Sequence, residues 1–396
     1  MKRRNPIKLV PILLLSLIAG SVAGAQNEQW LQYRSMGEAR QVVGDIGYQY
    51  TQLSPAKPQD VKLPQLACEQ PLFLEWVTPM AASGRIWIAF DKSKGKGDYD
   101  RLYLDANANG DLSDDPACPP YRRESMMAYF GPVKVVFASA DGPITYHLNL
   151  EIRFFPGQPP MCLMSPGGWY EGPITVGGVK KQCLLIDHNV NGTFNDTSSD
   201  YSKSDRIRIG TPGGAEAGAV GKYVEVDNKL YQVDVARDGA FVTLTPAGQV
   251  PYGAVRLSAG VTTVTVAGEN GSFVRTPENG IIKLPVGAYQ VNFWSVSKKD
   301  EQGATWELRG MLPPDAAGGT LTVAQEQEAG LSVGEPIYSM AQVSQSGSVY
   351  SFNQHLEGRQ GERIVLTRNG SQPPAPKLRI RSRDGTYDRS LTAEYG

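Results

Sequence analysis

Apolar and polar side chains alternate along much of this chain, which is the pattern of half-buried β-strands. In ITYHLNLEIRFF (144–155), every second residue is apolar or aromatic, and polar residues stand between them. In KYVEVDNKLYQVDVARDGAFVTLTP (222–246), three shorter alternating runs are joined by polar turn residues, which indicates a meander. Pairs of residues typical of tight turns separate many such runs: Asp227-Asn228, Asp238-Gly239, Asn270-Gly271, Asn279-Gly280, Asn369-Gly370 and Asp384-Gly385.

Helical periodicity is weak by comparison. The segment DAAGGTLTVAQEQEAG (315–330) could hold a short turn of helix at most. The 43 Gly and 28 Pro residues suit a chain of many short strands. We therefore predict a mainly β fold, with several antiparallel β-sandwich or β-meander domains and little helix.

The first 25 residues have the pattern of a secretory signal peptide. Four basic residues precede an apolar run from Leu9 to Ile18, and Ala23 and Ala25 frame a cleavage pattern. We expect cleavage after Ala25 and a mature chain that is periplasmic or secreted. No later run reaches the roughly 20 apolar residues of a spanning helix, so we expect no membrane span in the mature chain.

The charge of the mature chain limits its partners. The signal peptide holds four of the 39 basic residues and none of the 40 acidic ones, so 35 basic residues face 40 acidic ones after cleavage. A mildly acidic chain is a poor general binder of nucleic acid, and we expect none as a partner.

Two stretches repeat one pattern of Asp, Asn and Gly: DANANGDLSDD (105–115) and DHNVNGTFND (187–196). Both read D-x-N-x-N-G with an apolar residue at position 8. In a Ca²⁺-binding EF-hand loop, oxygen ligands come from positions 1, 3, 5, 7, 9 and 12, and position 6 is Gly. The candidate Ca²⁺ ligands are Asp105, Asn107, Asn109, Asp111, Ser113, Asp114 and Asp115 in the first loop, and Asp187, Asn189, Asn191, Thr193, Asn195 and Asp196 in the second.

Both loops depart from a standard EF-hand. Position 12 is Pro116 or Ser198 instead of Glu, and the runs RLYLD and CLLID before the loops indicate strands. Several uncharged Asn ligands suit a weak structural site for extracellular calcium. The alternative is that these side chains form Asx turns with their own backbone and bind no metal. Nearby acids could complete a coordination shell or face water: Asp98, Asp100, Asp200 and Asp205.

The chain contains four cysteines, Cys68, Cys118, Cys162 and Cys183. In an oxidising compartment an even number of cysteines favours disulfides, so we expect two, with three pairings open. The alternative is four free thiols. The spacings match no zinc motif.

We divide the mature chain into three units. Residues 26–250 hold both loops and all the cysteines. Residues 251–328 contain an L-P-x-G-x-Y-x-V strand within NGIIKLPVGAYQVNFWSV and resemble transthyretin-like and carboxypeptidase-regulatory β-sandwich modules of secreted proteins. Residues 329–396 form a C-terminal β module that runs from G-E-P to E-Y-G. With the D-x-N-x-N-G loops behind a YDxLYxD strand (99–105), this ending resembles uncharacterised exported bacterial multi-domain β proteins, which implies no particular activity.

Other candidate groups give weaker signals. The three histidines, His147, His188 and His355, are predicted to be surface residues, and no G-x-S-x-G or H-E-x-x-H motif is present. Trp169 and Tyr170 could stack on a sugar ring, although packing onto the core is the commoner role. The alternating basic run KLRIRSR (377–383) could bind an anionic polymer or form a charged strand edge, and we favour the edge.

We therefore predict an exported calcium-binding β protein that is a structural or binding component of the periplasm or cell exterior. A polysaccharide or another cell-envelope protein is the candidate partner. The alternative is a carbohydrate-active hydrolase, whose carboxylate pair cannot be identified among 40 acidic residues.

Overall fold

The computed structural model describes residues 27–37, 39–44, 46–210, 217–312 and 319–395. The predicted signal peptide lies outside these residues. The structure is 54% strand and 3% helix, arranged in several separate antiparallel sheets, which confirms the mainly β prediction. One short helix, α1 (Ala39–Val43), precedes the first long strands, and a 3₁₀ turn covers Tyr201–Lys203. No helix in the described ranges is long and apolar enough to cross a bilayer.

Four antiparallel sheets surround the first hydrophobic core. Their strands are β1 (Gln29–Trp30), β2 (Gln32–Ser35), β3 (Gln49–Gln52), β4 (Leu72–Val77), β5 (Arg85–Asp91), β6 (Arg101–Leu104), β7 (Arg122–Glu124), β8 (Met127–Phe137), β9 (Ile144–Arg153), β10 (Met161–Pro166), β11 (Gly168–Val176), β12 (Val179–Ile186), β13 (Arg206–Gly210), β14 (Gly218–Ala219), β15 (Tyr223–Val226), β16 (Lys229–Val235) and β17 (Phe241–Pro246). The strand orders are β1-β17-β16-β15, β3-β10-β9-β8-β7, β14-β13-β12-β11-β2 and β4-β5-β6.

The first core is one cluster of buried side chains that runs from Leu31 to Val242 along the chain and draws on all four sheets. Strand β9 contributes alternate residues, among them Tyr146 and Leu148, as its period of two requires. Trp76 on β4 is fully buried, and its ring stacks on that of Tyr146 with centroids 5.5 Å apart. The sheets are therefore held together by aromatic and aliphatic contacts between their inner faces.

The second group of strands begins after residue 250. Its members are β18 (Tyr252–Leu257), β19 (Val261–Gly268), β20 (Gly271–Arg275), β21 (Ile281–Pro285), β22 (Gly287–Lys299), β23 (Thr305–Met311), β24 (Thr320–Val323), β25 (Glu328–Leu331), β26 (Tyr338–Ser346), β27 (Val349–Glu357), β28 (Arg363–Arg368), β29 (Lys377–Arg381) and β30 (Asp388–Thr392). They form a sheet β21-β18-β25, a sheet β20-β19-β22-β23-β28-β27-β26 with β24 paired to β22, and a separate β29-β30 hairpin.

A second hydrophobic cluster extends from Val255 to Ile364. Ile364 lies on β28, which pairs with β23, so strands from 251–328 and from 329–396 share this core. Within β18-β25 the pairing is parallel. The three domain boundaries stay predictions.

The predicted turns and the predicted helix segment have different outcomes. The meander is confirmed as β15, β16 and β17, and Asp227 and Asn228 have positive φ angles of 51° and 58°, as the turn between β15 and β16 requires. In 315–330, residues 315–318 lie outside the described residues, while the rest includes strand β24 and most of β25. Helix α1 was not anticipated.

The prediction of two disulfides is wrong, because all four cysteines are free thiols in this structure. Cys162 lies on β10, where its neighbours on the adjacent strands are Thr51 and Ile152. Cys183 lies on β12, in a different sheet. A disulfide requires facing Cβ atoms on closely spaced backbones, and no pair of the four cysteines is joined in this way. Burial raises the pKa of the Cys183 thiol to about 12, which lowers its reactivity.

Candidate metal centre

Each Asp/Asn loop begins where a buried strand ends. Strand β6 ends at Leu104 and the first loop starts at Asp105, while β12 ends at Ile186 and the second loop starts at Asp187. The strand flanks therefore agree with the alternating runs in the sequence. The two Asp side chains are 4% and 0% exposed.

The carboxylate at position 1 organises the backbone of each loop. Asp105 Oδ1 accepts a hydrogen bond from the Asn109 N–H at 2.9 Å, and its Oδ2 accepts one from the Gly110 N–H at 2.8 Å. In the second loop, Asp187 accepts from the same two positions at 3.3 and 2.7 Å. Two loops far apart in sequence thus share one hydrogen-bond framework.

The backbone conformation is repeated as well. Position 4 has a positive φ in both loops, 56° at Ala108 and 59° at Val190. Position 6 follows with 81° at Gly110 and 92° at Gly192, where a side chain would be strained. The D-x-N-x-N-G pattern therefore encodes a defined fold of the chain, with Gly where the turn needs it.

A buried apolar residue at position 8 anchors each loop. Leu112 is 0% exposed and Phe194 is 1% exposed. The Phe194 ring meets that of Tyr170 edge-on, with centroids 5.2 Å apart, and its N–H donates to the Arg237 carbonyl at 3.0 Å. The apolar residue that both sequences have at position 8 therefore packs into a hydrophobic core in both loops.

The carboxylate at position 10 accepts a hydrogen bond from the side-chain amide at position 5. Asn109 Nδ2 donates to Asp114 Oδ2 at 2.9 Å. In the second loop, Asn191 Nδ2 donates to Asp196 Oδ2 at 2.9 Å, and Asn189 Nδ2 donates to the same oxygen at 3.1 Å. The early acids that replace the missing position-12 Glu thus lie beside the loop side chains.

A further carboxylate completes each loop, but it comes from different places in the sequence. Asp115 Oδ2 accepts from the Ala106 N–H at 3.0 Å in the first loop. In the second loop, Asp205 accepts from the N–H of His188 at 3.0 Å and from that of Asp196 at 2.8 Å. Asp205 is fully buried. Of the four flanking acids, it is the one that accepts hydrogen bonds directly from a loop in the described structure.

The acids of the second loop repel one another. Burial raises the pKa of Asp205 well above its usual value, and the charges of Asp187 and Asp196 raise it further. Burial also raises the pKa of Asp187, against the hydrogen bonds that it accepts. In the first loop, burial and neighbouring acids raise the pKa of Asp115 to about 6. A bound cation would offset this repulsion in either loop.

Residues outside the motif hold the second loop in place. Tyr146 Oη donates to Asp187 Oδ2 at 2.8 Å, and Trp76 Nε1 donates to the Val190 carbonyl at 2.7 Å. Gln49 Nε2 donates to the same carbonyl at 2.9 Å. Sequence reasoning missed these three supporting residues, because each lies at least 40 positions from the group it contacts and belongs to an ordinary strand pattern.

The first loop is supported by a lysine. Lys62 Nζ lies 2.7 Å from Asp111 Oδ2, and the Lys62 backbone bonds Gly110 and Leu112. The lysine lowers the pKa of Asp111 to about 2, and the bond from Ser113 contributes. Position 7 of this loop therefore already has a cationic partner.

Other candidate ligands stand apart from these centres. Asn195 is exposed, Asp100 accepts from Ser93, and Asp200 caps the 3₁₀ turn through the Ser202 N–H. Asp98 is exposed as well. Within the described ranges, no three His, Cys, Asp or Glu side chains form a group that could hold a metal ion, so any ion bound here would depend on Asn and backbone oxygens as well.

The histidines and the aromatic loop differ in part from expectation. His355 is exposed as predicted, but His147 and His188 are half-buried. Burial lowers the pKa of both, and the charge of Arg206 helps to bring that of His188 to about 3. Trp169 and Tyr170 are buried, so they pack onto the core and present no stacking surface.

Comparisons of this chain with family models, with curated proteins and with solved structures find no match. The resemblances to β-sandwich modules and to exported bacterial proteins therefore stay predictions.

Proposed function

We propose that the two Asp/Asn loops bind Ca²⁺ and that the bound ions stabilise the first core of an exported protein. The observation that carries the proposal is the repeated framework. Each loop places a carboxylate at position 1, two amide side chains and a further acid within a single hydrogen-bonded turn. Asx turns alone account for part of this framework, but they do not require additional acids to gather beside it.

The donor set favours a hard cation. The candidate ligands offer carboxylate, amide, hydroxyl and backbone carbonyl oxygens, which are the ligands that Ca²⁺ takes. Asp187 and Asp205 are buried and Asp196 is half-buried, and the charge of a divalent ion would offset the repulsion among these three carboxylates. The Asn ligands are uncharged, so the ligand charge is lower than in a loop of carboxylates alone, which supports a weak structural site.

We further propose that the protein is a structural or binding component of the periplasm or cell exterior. The signal-peptide prediction and the low-affinity type of the loops support this role. The hydrolase alternative requires a close pair of carboxylates in one cavity. A cavity of about 320 Å³ is lined by two acids, but Asp60 forms an ion pair with Arg85 and Asp105 accepts hydrogen bonds from its own loop. Another cavity, of about 210 Å³, is lined by Arg40, Tyr48 and Asn149. Among the described residues that line it, Glu151 is the one acid, and it bonds Arg153 at 2.6 Å.

Thermal unfolding in CaCl₂ and in EGTA tests the proposal. With a dissociation constant near millimolar and free Ca²⁺ at about ten times that value, each site adds about 1.4 kcal/mol to the free energy of unfolding. This corresponds to a rise in melting temperature of about 3–6 °C per site. MgCl₂ at equal ionic strength controls for salt.

Matched variants separate metal binding from turn stability. Asp105→Asn and Asp187→Asn each reduce the calcium-induced rise, because they remove a charged ligand. Asp91→Asn is the control, since Asp91 is also buried and accepts two backbone N–H groups, both at 2.9 Å, yet lies outside the loops. It lowers the melting temperature equally with and without calcium. A wild-type protein with no calcium shift, or a double loop variant that keeps the shift, contradicts the proposal.

A further inference from the structure

The hairpin formed by β26 and β27 projects from its sheet. The two strands pair over nine positions, from Tyr338 opposite Glu357 to Ser346 opposite Val349. All nine residues of β26 and the first seven of β27 are exposed. Strand β27 pairs with β28 at a single position, Glu357 with Arg363. Both faces of the ribbon and the outer edge of β26 therefore meet solvent in the described structure.

The composition of this hairpin is unusual for an exposed ribbon. From residue 336 to 354 the sequence contains no Asp, Glu, Lys, Arg or His, although one residue in five of the whole chain is charged. Large apolar side chains occupy it instead. On one face, Val343 is 59% exposed and lies opposite Phe352, and Tyr350 beside them is 57% exposed.

Exposed strand edges usually carry charges that prevent pairing with other chains. The β29-β30 hairpin of this protein follows that rule, because Lys377, Arg379 and Asp388 lie on its strands and the last two form an ion pair. Strand β26 has no such protection, and its outer edge pairs with no other strand in the described part of the chain. An isolated two-stranded ribbon is only marginally stable, so a further strand would stabilise this one.

The absence of charged side chains in β26 favours the same strand of a second copy as the partner for this edge. When a strand pairs antiparallel with its own copy, each residue faces one from the same short segment, and like charges would destabilise the pair. In β26 that cost is absent. A two-fold axis at Gln342, the middle residue, places it opposite itself and Tyr338 opposite Ser346. This contact is isologous, so it closes with two copies.

We propose that the outer edge of β26 pairs with the same strand of a second copy of this chain, so that two hairpins form one four-stranded antiparallel sheet. This dimer is independent of calcium and of the two loops. It buries the β26 edge and brings the apolar faces of the two ribbons into one continuous surface.

Sedimentation velocity over a wide range of protein concentration tests the proposal. The wild-type chain forms a dimer, and Gln342→Lys weakens it by roughly tenfold or more, because two lysines then meet at the axis. Asn353→Lys is the matched control. Asn353 lies opposite Gln342 within the hairpin, on β27, so a lysine there has the same charge one strand away from the proposed contact and leaves the dimer intact.

Two further measurements define the geometry. A mixture of Gln342→Lys and Gln342→Glu chains restores the dimer, which also shows that the variants fold. Gln342→Cys forms a disulfide between copies under mild oxidation, whereas Ser346→Cys does not, since it faces Tyr338. A wild-type chain that stays monomeric, or a dimer that Asn353→Lys weakens as much as Gln342→Lys, overturns the proposal.

Discussion

The hydrogen bond from Tyr146 to Asp187 links the first core to the second loop, and Tyr146→Phe removes it alone. Tyr146 is 1% exposed, and its Oη lies 2.8 Å from Asp187 Oδ2. The ring stacks on Trp76 and contacts Phe194 edge-on. A phenylalanine fills the same space, so the loss of free energy reports the hydroxyl group.

The expected loss follows from the charge of the acceptor. A hydrogen bond to an ionised group contributes about 1.5–3 kcal/mol, against about 0.5–1.5 kcal/mol between neutral groups. Tyr289→Phe in the second core is the neutral control. Tyr289 is also buried, its Oη donates to the Pro285 carbonyl at 2.7 Å, and it accepts a hydrogen bond from Asn270 Nδ2 at 3.1 Å. Tyr146→Phe should therefore lower the free energy of unfolding by about 1.5–3 kcal/mol where Asp187 is ionised, whereas the cost of Tyr289→Phe should not depend on the charge of Asp187.

Urea unfolding in EGTA, followed by tryptophan fluorescence and circular dichroism, measures both variants. The comparison is made at alkaline pH, because burial raises the pKa of Asp187 and a protonated Asp187 is a neutral acceptor. The difference between the variants should then shrink as the pH falls. If the cost of Tyr146→Phe, measured against that of Tyr289→Phe, does not fall as the pH falls, the charged bond that holds the second loop does not exist as described.

Three further predictions concern the loop anchors, a buried acid and the thiols. Phe194→Ala should cost about 3–5 kcal/mol and Leu112→Ala about 2–5 kcal/mol in urea unfolding, because both side chains are fully buried, and losses below about 1 kcal/mol would show that the loops are not anchored. Burial acts to raise the pKa of Asp91, but the backbone N–H groups that it accepts from lower the pKa overall. The stability that ionised Asp91 contributes above pH 3.8 should therefore be lost as the pH falls below that value. Asp91→Asn should make this loss smaller in acid-unfolding curves. A thiol reagent should label Cys118 first in the native protein and all four cysteines in urea, whereas fewer than four would indicate disulfides.

The strands could be predicted because their signal is local. In the run that became β9, side chains alternate in polarity, and the pleat of a strand places alternate residues on opposite faces. The loop conformations were predictable for the same reason. Asp105 and Asp187 bond backbone groups only four and five positions ahead, and Gly stands where φ must be positive.

Contacts between distant segments could not be predicted from one sequence. Asp205 contacts the second loop although it lies outside the D-x-N-x-N-G motif. The residues beside it in the sequence do not distinguish it from Asp200, which only caps a turn. Lys62 forms an ion pair with Asp111, which lies 49 residues away in the sequence. The disulfide prediction used the number of cysteines and the expected compartment, but bond formation depends on the spacing of strands, which those two facts do not contain.

The two loops share a framework but differ in surroundings, and this difference ranks them as calcium sites on our proposal. In the first loop, the Lys62 ammonium lies 2.7 Å from Asp111 Oδ2, and its positive charge opposes the binding of a cation at that position. The second loop gathers Asp187, Asp196 and Asp205, and its first and last carboxylates are fully buried. Since attraction between an ion and a carboxylate is less screened in a buried site, the second loop should be the tighter of the two. The greater part of any calcium stabilisation should therefore be lost with Asp187→Asn.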